Sequence, residues 1–365
     1  MKRILIVTVL IFCICGSACA ISVSAKSAIL MEASTGKVLF SQAIDTKRGM
    51  ASTTKIMTAL IVLESADLEE LVTVKQSCTG IEGSSMYLQP GEQLTVSDLL
   101  YGLMLQSGND CATVLADHVA GSTEQFVSLM NQKAADLGLC NTHFTNPSGL
   151  PDKNHYSSAS DMAHLTAYAM QNADFRAIVA TKKFRAGTHY LVNHNRLLSM
   201  CEGVDGVKTG FTKSAGRCLV SSAVRNGVRL IAVTLNAPDD WRDHKQLYDF
   251  GFANIKQIQF HQAGEELTSL PVIGGVSSEL PILIQADCSA MISPEEEKNI
   301  QVVYHLPHFL YAPILKGEEV GEVIIKVGNE VVMTVPLTVS ESVAQLEPQG
   351  WFHRLSYSIR KRFLA

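Results

Sequence analysis

The distribution of apolar and polar residues predicts two strands and a series of helices in the first half of the chain. Residues 27–42 alternate as two strands around a turn at Ser34-Thr35-Gly36. Apolar residues then recur at the spacing of three and four that places them on one face of a helix. This spacing predicts helices over 52–66, 97–106, 110–120, 123–139 and 158–171.

The pattern changes after residue 204. Three strands, with a hairpin turn at Arg225-Asn226-Gly227, are predicted between 204 and 238, and a helix over 239–255. Beyond about residue 260 the apolar runs predict strands alone: LPVIG, LPILIQ, NIQVVYHL, GEVIIKV and EVVMTVPLTV. The predicted fold class is therefore α+β. A largely antiparallel sheet with helices occupies residues 26–258, and a small all-β domain occupies 259–345.

The N-terminus has the layout of a secretory signal peptide. Lys2 and Arg3 precede an apolar run of about a dozen residues, and small residues follow up to Ala20 or Ala25. The run is shorter than the roughly 20 residues that span a bilayer. We interpret residues 1–25 as a signal peptide, with an uncleaved N-terminal anchor as the alternative. The protein is thus expected to be exported and to act at the outer face of the cytoplasmic membrane or in the cell wall.

The C-terminal tail, residues 346–365, has a basic amphipathic pattern. Apolar residues at spacings of three and four form one stripe within 350–365, and basic residues crowd the other positions: Phe352, Leu355, Ile359, Phe363; Arg354, Arg360, Lys361, Arg362. A helix of this length is too short to cross a bilayer but suits its surface. We interpret residues 350–365 as a membrane-surface segment. A helix docked on its own protein is the alternative.

Charge and cysteine usage narrow the functional classes. The formal charge is −5, and it becomes −7 without residues 1–25, which hold two basic and no acidic side chains. Such a chain is not expected to bind nucleic acid. The six cysteines beyond residue 25 contain no C-x-x-C pair. We expect them to be small buried apolar residues rather than metal ligands, notably Cys111 and Cys140 in their apolar surroundings.

The stretch GMASTTKIMTALIVLE (49–64) places Lys55 at the front of an otherwise apolar helix. Ser52 lies three residues earlier, and residues three apart on a helix share a face. A hydroxyl beside an amine is either a helix-capping residue near a charge, or a nucleophile with its base. Ser34 and Lys37 have the same spacing, but they fall in a predicted turn that gives them no reason to converge.

Two further motifs carry polar groups that suit catalysis. Ser107-Gly108-Asn109 falls in the break between two predicted helices, where a simple turn with a helix cap is the alternative. Lys208-Thr209-Gly210 falls on the first strand of the 204–238 region, where a charged edge strand is the alternative. Gly210 lets a substrate backbone approach closely, while Lys208 and Thr209 can bind a carboxylate.

Together the three motifs resemble the signature of penicillin-binding proteins and class A β-lactamases. They occur in the expected order, with Ser107 55 residues after Ser52 and Lys208 101 residues after Ser107. Their surroundings (MEASTGKVLF, LQSGNDCATVLADHVAG, NTHFTNPSGL, VDGVKTGFT) resemble the low-molecular-weight penicillin-binding proteins, which are serine-type D-alanyl-D-alanine carboxypeptidases. The resemblance extends over nearly the whole chain, including the small β domain and the tail.

The resemblance implies a transpeptidase-type fold and a role for each motif. Ser52 would attack the carbonyl between the two terminal D-alanines of a peptidoglycan stem peptide, with Lys55 as proton acceptor and Ser107 as proton relay. Asn109 would hold the substrate amide, and the Lys208-Thr209-Gly210 strand would hold the terminal carboxylate. Backbone N–H groups of Ser52 and Phe211 would form the oxyanion hole. Water would hydrolyse the acyl-enzyme. β-Lactam antibiotics would acylate Ser52. No cofactor and no metal ion are implied.

One position departs from the family pattern. Some members place an arginine upstream of the Lys-Thr-Gly strand, where it helps to hold the substrate carboxylate. The stretch NHNRLL (193–198) has His194 at the apparent match and Arg196 two positions further on. The sequence therefore does not assign a third cationic contact to the carboxylate.

Other hydrolase classes fit the sequence less well. A β-lactamase would need a deacylating glutamate in a Glu-x-x-Leu-Asn setting, and residues 140–200 contain none. The chain also lacks the H-E-x-x-H motif of zinc peptidases and the G-x-S-x-G elbow of Ser-His-Asp hydrolases. A DD-endopeptidase that acts on cross-links stays open. A silent wall-binding or β-lactam-sensing protein would have no chemical need for Lys55.

Overall fold

A five-stranded sheet of largely buried strands is the centre of the N-terminal part of the chain. The computed structural model describes residues 21–347, which divide into two units. Residues up to Val224 together with Arg229–Gly251 form the first unit. Arg225–Val228 and the residues from Phe252 onward form the second.

The five-stranded sheet has the order β2-β1-β9-β8-β7. The strands of this region are β1 (Ser27–Glu32), β2 (Val38–Gln42), β3 (Leu71–Thr73), β4 (Gln93–Thr95), β5 (Lys183–Ala186), β6 (His189–Val192), β7 (Val204–Thr212), β8 (Gly216–Arg225) and β9 (Val228–Leu235). β1 pairs antiparallel with β2 and β9, and β7 pairs antiparallel with β8. β3 with β4 and β5 with β6 form two-stranded sheets. The five-stranded sheet therefore ends at β7.

Helices cover the sheet on both faces. They are α1 (Lys55–Ser65), α2 (Val96–Leu105), α3 (Asn109–Ala120), α4 (Thr123–Asp136), α5 (Ala159–Ala169), α6 (Ala173–Ala180), α7 (Leu197–Met200) and α8 (Asp240–Ala253). Every residue of β1 is buried as a result. Ile29 and Met31 belong to the core shared with α1 to α6. Leu30 faces the other way, where a Cβ added to Gly251 of α8 would lie 2.5 Å from its side chain. The predicted α+β architecture is confirmed.

Residues 24 and 25 are tied to α8 by hydrogen bonds. Ser24 donates from its backbone N and from Oγ to the Asp243 carboxylate, both at 2.8 Å. The backbone N of Ala25 donates to the same carboxylate at 3.1 Å. Asp243 and Ala25 are both buried. Residues 24 and 25 are thus an integral part of the first unit.

The second unit is built from strands. They are β10 (Lys256–His261), β11 (Glu266–Ile273), β12 (Glu279–Ile284), β13 (Cys288–Ile292), β14 (Ile300–His305), β15 (Leu310–Tyr311), β16 (Glu319–Val327) and β17 (Glu330–Val339). Six of them form a sheet in the order β14-β16-β17-β12-β11-β15, and β10 pairs with β13. Inward-facing residues of alternate positions, such as Leu280, Ile282 and Ile284 of β12, form its own core.

The longer elements agree with the prediction. Every helix predicted from periodicity is present with ends shifted by a few residues, as are the strands between 204 and 238 and the five runs beyond 260. The elements missed by the prediction are mostly short or half exposed, such as β3 to β6, β15 and α7, and so carry little periodicity. The predicted signal peptide and tail lie almost wholly outside the described residues. The domain limits at 258 and 345 stay predictions.

The burial predicted for the cysteines is only partly right. Cys111, Cys78, Cys218 and Cys288 are buried, and Cys201 is half-buried. Cys140 is exposed, so its predicted burial is wrong. After α4 ends, Gly138 (φ 68°) turns the chain and the inward position goes to Leu139. The thiol of Cys140 is left at the surface, beside the carbonyl of Gly138.

Candidate active site

Ser52 lies in a short 3-10 turn that leads directly into α1. The turn spans Ala51–Thr54, and α1 begins at Lys55. No side chain caps the start of α1: Thr54, at the N-cap position, accepts no hydrogen bond from a backbone N–H of the helix. Thr53 Oγ1 and Thr54 Oγ1 instead donate to carbonyls three residues earlier, at 2.7 and 2.9 Å. The tightened turn leaves Ser52 half-buried, with its side chain directed toward Lys55.

Lys55 is fully buried and stands at the centre of the site. Its Nζ lies 3.1 Å from Ser52 Oγ, 2.7 Å from Asn109 Oδ1 and 2.6 Å from the carbonyl oxygen of Ser148. The three-residue spacing therefore does bring Ser52 and Lys55 into hydrogen-bond contact. When Lys55 is uncharged, it can donate to the two carbonyl-type oxygens and accept the proton of the Ser52 hydroxyl.

Burial and charge both favour the uncharged amine. Burial is the main cause that holds the pKa of Lys55 well below its usual value, and the Lys208 ammonium is the second. Burial also lowers the pKa of Lys208, to about 7. The Nζ of Lys208 donates to the carbonyl of Thr209 at 3.0 Å. Two buried amines with lowered pKa values beside a hydroxyl are typical of an activated nucleophile.

The second motif connects α2 with α3. Ser107 is buried and has a left-handed backbone (φ 61°), and Asn109 is the first residue of α3. While Asn109 Oδ1 accepts from Lys55, Asn109 Nδ2 donates to the carbonyl of Glu82. The turn thus brings the Asn109 amide against Lys55, with Ser107 two residues before it. The catalytic roles of both residues stay predictions.

The third motif lies on β7, the strand at the edge of the sheet. A Cβ added to Gly210 would lie 3.0 Å from the backbone N of Ser52 and 3.2 Å from the Cβ of Ala51. β7 therefore passes directly beside the Ser52 turn, and glycine permits that approach. Phe211, the next residue of β7, is 65% exposed. Only its backbone N–H is a candidate for an oxyanion contact. The structure brings all three motifs together.

The loop 146–150, which lies outside the three motifs, also contacts Lys55. Asn146 Oδ1 accepts from the backbone N of Ser148, Gly149 and Leu150, at 3.2, 2.8 and 3.0 Å. These bonds hold the Ser148 carbonyl against Lys55 Nζ. The only signal in the sequence is the turn-forming composition of Asn-Pro-Ser-Gly, which indicates a turn but not its target.

Gly149 packs against the turn that carries the nucleophile. It has φ 90°, and a Cβ at this position would lie 2.0 Å from the carbonyl oxygen of Ala51. Ala51 itself has φ 49°, an uncommon value for a residue with a side chain. Glycine is required at 149 both for its backbone conformation and for the lack of space.

His155 forms a hydrogen bond to the same turn, through Thr54. The backbone N of Thr145 donates to its Nδ1 at 3.0 Å, so the ring proton sits on Nε2 and is donated to Thr54 Oγ1 at 2.7 Å. Burial lowers the pKa of His155 to about 4. This histidine is therefore neutral near pH 7 and acts as a brace rather than as a general base.

Asp110 fixes the opposite wall of the site. Its buried carboxylate accepts from Ser85 Oγ at 2.6 Å and from the backbone N of Met86 and Leu88. A Cβ added to Gly83 of the same segment would lie 2.7 Å from Asn109 Nδ2. The segment 82–88 is thereby held close to the second motif. Asp110 directly follows the Ser107-Gly108-Asn109 motif, and the motif itself gives no sign of this structural role.

Comparison with known proteins identifies the family that has this arrangement of motifs. Residues 16–239 match the peptidase S11 family, described as D-alanyl-D-alanine carboxypeptidase. The chain belongs to the D-alanyl-D-alanine carboxypeptidase family. Residues 256–345 of this carboxypeptidase match the C-terminal domain of penicillin-binding protein 5. The resemblance inferred from the motifs is confirmed.

Individual relatives cover most of the carboxypeptidase. D-alanyl-D-alanine carboxypeptidase DacC of Escherichia coli (strain K12) is 36% identical over 359 residues, which are 94% of this chain and 89% of the relative. DacF of Bacillus subtilis (strain 168) is 34% identical over 338 residues, 87% of this chain and 86% of the relative. Penicillin-binding protein 5 from Haemophilus influenzae superposes with a TM-score of 0.72 at 31% identity, covering 89% of this chain and 99% of that one. The protein is a serine-type D-Ala-D-Ala carboxypeptidase, and its family acts on peptidoglycan.

His194, the apparent sequence match to the arginine of some family members, lies next to the end of α2 in this carboxypeptidase. Its backbone N lies 3.4 Å from the carbonyl of Leu105, at the end of α2. Its side chain is exposed, yet its surroundings lower its pKa, through desolvation first and through the Lys208 ammonium second. His194 therefore adds no fixed positive charge beside Lys208 near neutral pH.

Proposed function

We propose that Ser52 is the nucleophile with which the enzyme removes the terminal D-alanine from peptidoglycan stem pentapeptides. The observation that carries this proposal is the contact between Ser52 Oγ and the buried Lys55 Nζ at 3.1 Å. Because the pKa of Lys55 is lowered, its amine can accept the hydroxyl proton as the serine oxygen attacks. No cofactor is needed for this step.

The attack converts the carbonyl between the two D-alanines into a tetrahedral oxyanion. The backbone N–H groups of Ser52 and Phe211 donate to that oxygen, which is supported by the close approach of β7 to the turn. The C–N bond then breaks, and Ser107 passes the proton from Lys55 to the departing D-alanine amine. Water attacks the resulting Ser52 ester and releases the shortened peptide with its new carboxylate.

The Lys208-Thr209-Gly210 strand provides the specificity for a C-terminal residue. Lys208 and Thr209 bind the terminal carboxylate by charge and hydrogen bond, and Asn109 holds the amide of the substrate. A β-lactam places a carboxylate and a strained amide in the same relative positions as the dipeptide. It therefore acylates Ser52 in the same way.

We place the enzyme outside the cytoplasmic membrane, with residues 1–25 as the export signal and residues 350–365 on the membrane surface. Peptidoglycan, the polymer on which the family acts, supports the extracytoplasmic location. The tail proposal is supported by its apolar stripe and basic residues. No helix within residues 21–347 is both long and apolar enough to cross a membrane. Sedimentation with anionic vesicles tests the tail; equal binding of the chain ending at residue 345 would refute it.

The nucleophile is tested by D-alanine release from diacetyl-Lys-D-Ala-D-Ala and by labelling with a fluorescent penicillin. We expect Ser52→Ala to abolish both. Ser34→Ala is a matched control, because Ser34 has the same Ser-x-x-Lys spacing but lies in the β1–β2 turn and donates to Glu32. Labelling without D-alanine release by the unmodified protein would redirect the search to cross-linked muropeptides. Activity that survives Ser52→Ala would remove Ser52 from the mechanism.

A further inference from the structure

Three segments of the second unit meet where its last described residues lie. The backbone N of Leu346 donates to the carbonyl of Gly274 at 2.8 Å. Ile314 and Val343 form an antiparallel bridge, with both backbone hydrogen bonds at 3.0 Å. This end of the unit is therefore built from residues 273–276, 309–315 and 343–346.

The strand register turns apolar side chains outward at this end. β11 and β15 pair in parallel, with Val272 opposite Leu310 and Ile273 opposite Tyr311. Val272 and Leu310 are buried in the core, so the side chains of the next residues point away from it. Tyr311 is 67% exposed, and the ring of Phe309 packs against its ring with the centroids 5.3 Å apart. We call the exposed apolar side chains of the three segments the exit patch: Ile273, Val276, Phe309, Tyr311, Leu315, Leu346.

The exit patch is held in place by the backbone around it. The backbone N of Leu315 donates to the Glu318 carboxylate at 3.1 Å, and the backbone N of Lys316 donates to Ser342 Oγ at 2.8 Å. These bonds fix the loop that presents Leu315. A group of exposed apolar side chains with a polar rim is typical of an interaction surface. Tyrosine, with an apolar ring and a polar end, suits the boundary between water and an apolar phase.

Chain length places the exit patch close to the proposed membrane-surface segment. Leu346 belongs to the patch, and the segment begins at residue 350, so three residues separate them. At 3.3–3.6 Å per residue, the four steps from 346 to 350 span at most about 14 Å. A bilayer that holds residues 350–365 therefore lies within reach of the patch.

The bilayer is a better occupant of the patch than the tail itself. The apolar stripe of residues 350–365 can cover the patch only by turning away from the lipid that it is proposed to bind. Residues 252–347 hold thirteen acidic and four basic side chains, so anionic lipids attract the basic tail but not this unit. Contact between the patch and the bilayer therefore depends on apolar burial.

We propose that the exit patch is a second membrane contact, whose aromatic and aliphatic side chains enter the headgroup region of a phospholipid bilayer beside the tail. The inference rests on the proposed membrane location of residues 350–365. It gives the β domain its own part in membrane binding, in addition to that of the tail.

The test is sedimentation of the chain from Ile21 to Ala365 with vesicles of phosphatidylcholine and phosphatidylglycerol. The test variant combines Tyr311→Ser with Leu315→Ser; both side chains are exposed, and circular dichroism checks that the fold is kept. We expect the variant to bind roughly tenfold more weakly, because two apolar side chains no longer leave water. This ratio should persist between about 0.1 and about 0.5 M NaCl, whereas the binding of both proteins falls as salt screens the tail.

The matched control lies at the far end of the same β16–β17 hairpin. Val331 and Val332 are exposed beside its turn, where Val327 pairs with Glu330, whereas Glu318 of the patch rim precedes the start of β16. Val331→Ser with Val332→Ser removes a similar exposed apolar surface. This control should bind vesicles as the unmodified chain does.

The other occupants give different results. If the tail covers the patch, the test variant frees the apolar stripe and binds vesicles more tightly. If a second copy covers it, the variant changes the mass in sedimentation velocity and leaves vesicle binding unchanged. Either result overturns the proposal, as does equal binding by the test and control variants. If the unmodified chain binds no vesicles, the membrane location of the tail fails, and the patch assignment fails with it.

Discussion

A chain that starts at Lys26 instead of Ile21 should be markedly less stable. The shorter chain lacks Ser24 and Ala25, which donate three hydrogen bonds to the buried Asp243 carboxylate. Hydrogen bonds to a charged group contribute roughly 1.5–3 kcal/mol each, though not additively. Removing the partners of a buried charge costs about 3–5 kcal/mol in total. We expect the free energy of unfolding of the first unit to fall by that amount.

The assay is thermal unfolding of both chains, followed by circular dichroism at one protein concentration. For a unit of this size, about 3–5 kcal/mol corresponds to a midpoint lower by roughly 10 °C. Asp243→Asn provides the matched test, since the amide carries no charge that needs the missing donors. The substitution should cost stability in the longer chain and cost much less in the shorter one. Equal midpoints for the two unsubstituted chains would refute the reasoning.

The same contacts bear on export. Cleavage of the proposed signal peptide after Ala20 keeps Ser24 and Ala25, whereas cleavage after Ala25 removes both. We therefore expect the exported protein to begin at Ile21, which mass spectrometry of the mature chain would check.

Three further predictions concern the site. Gly149→Ala should abolish penicillin labelling of Ser52, because its Cβ would collide with the Ala51 carbonyl; labelling at the normal rate would contradict this packing. His194→Arg should lower KM for the tripeptide by roughly two- to fivefold, by adding a fixed charge beside the carboxylate; an unchanged KM would exclude His194 from the carboxylate site. Stability should rise with pH from about 7 to about 10.5, because Lys208 has a pKa of about 7 when folded and 10.5 as its ordinary value. Over this range the unfolded chain binds more protons, and the gain is on the order of 5 kcal/mol. Denaturant titrations should show a shallower rise for Lys208→Met, and an equal slope would argue against the lowered pKa.

The site was predictable from sequence where spacing along the chain determines spacing in the fold. Ser52 and Lys55 are three residues apart at a helix start, and their contact follows from helical geometry alone. The motifs at Ser107 and Lys208 converge on them through the tertiary fold, so only the family resemblance could bring them together. Long, strongly periodic helices and strands were predicted for the same local reason.

What the sequence did not reveal depends on contacts between distant segments. The carbonyl of Ser148 reaches Lys55 because Asn146 holds the conformation of its loop. The direction of a backbone carbonyl cannot be predicted from the types of the residues around it. Thr53 and Thr54 are residue types that often cap helices. In the 3-10 turn, however, their hydroxyls donate to backbone carbonyls. Cys140 has apolar neighbours in sequence, but the turn at Gly138 decides which of them points inward.

The tight fit of Gly149 under the Ala51 carbonyl has a mechanical consequence. The loop that carries Gly149 also presents Ser148 to Lys55. It lines a cleft of about 320 Å³ beside the Ser52 turn, together with residues 49–51, 212, 214 and 215. With no free space between loop and turn, neither can shift without pushing the other. We expect a molecule bound in this cleft to displace the Ser52 turn and the Ser148 carbonyl from their positions beside Lys55. An inhibitor bound in this cleft would therefore need neither a β-lactam ring nor a contact with the carboxylate site at Lys208.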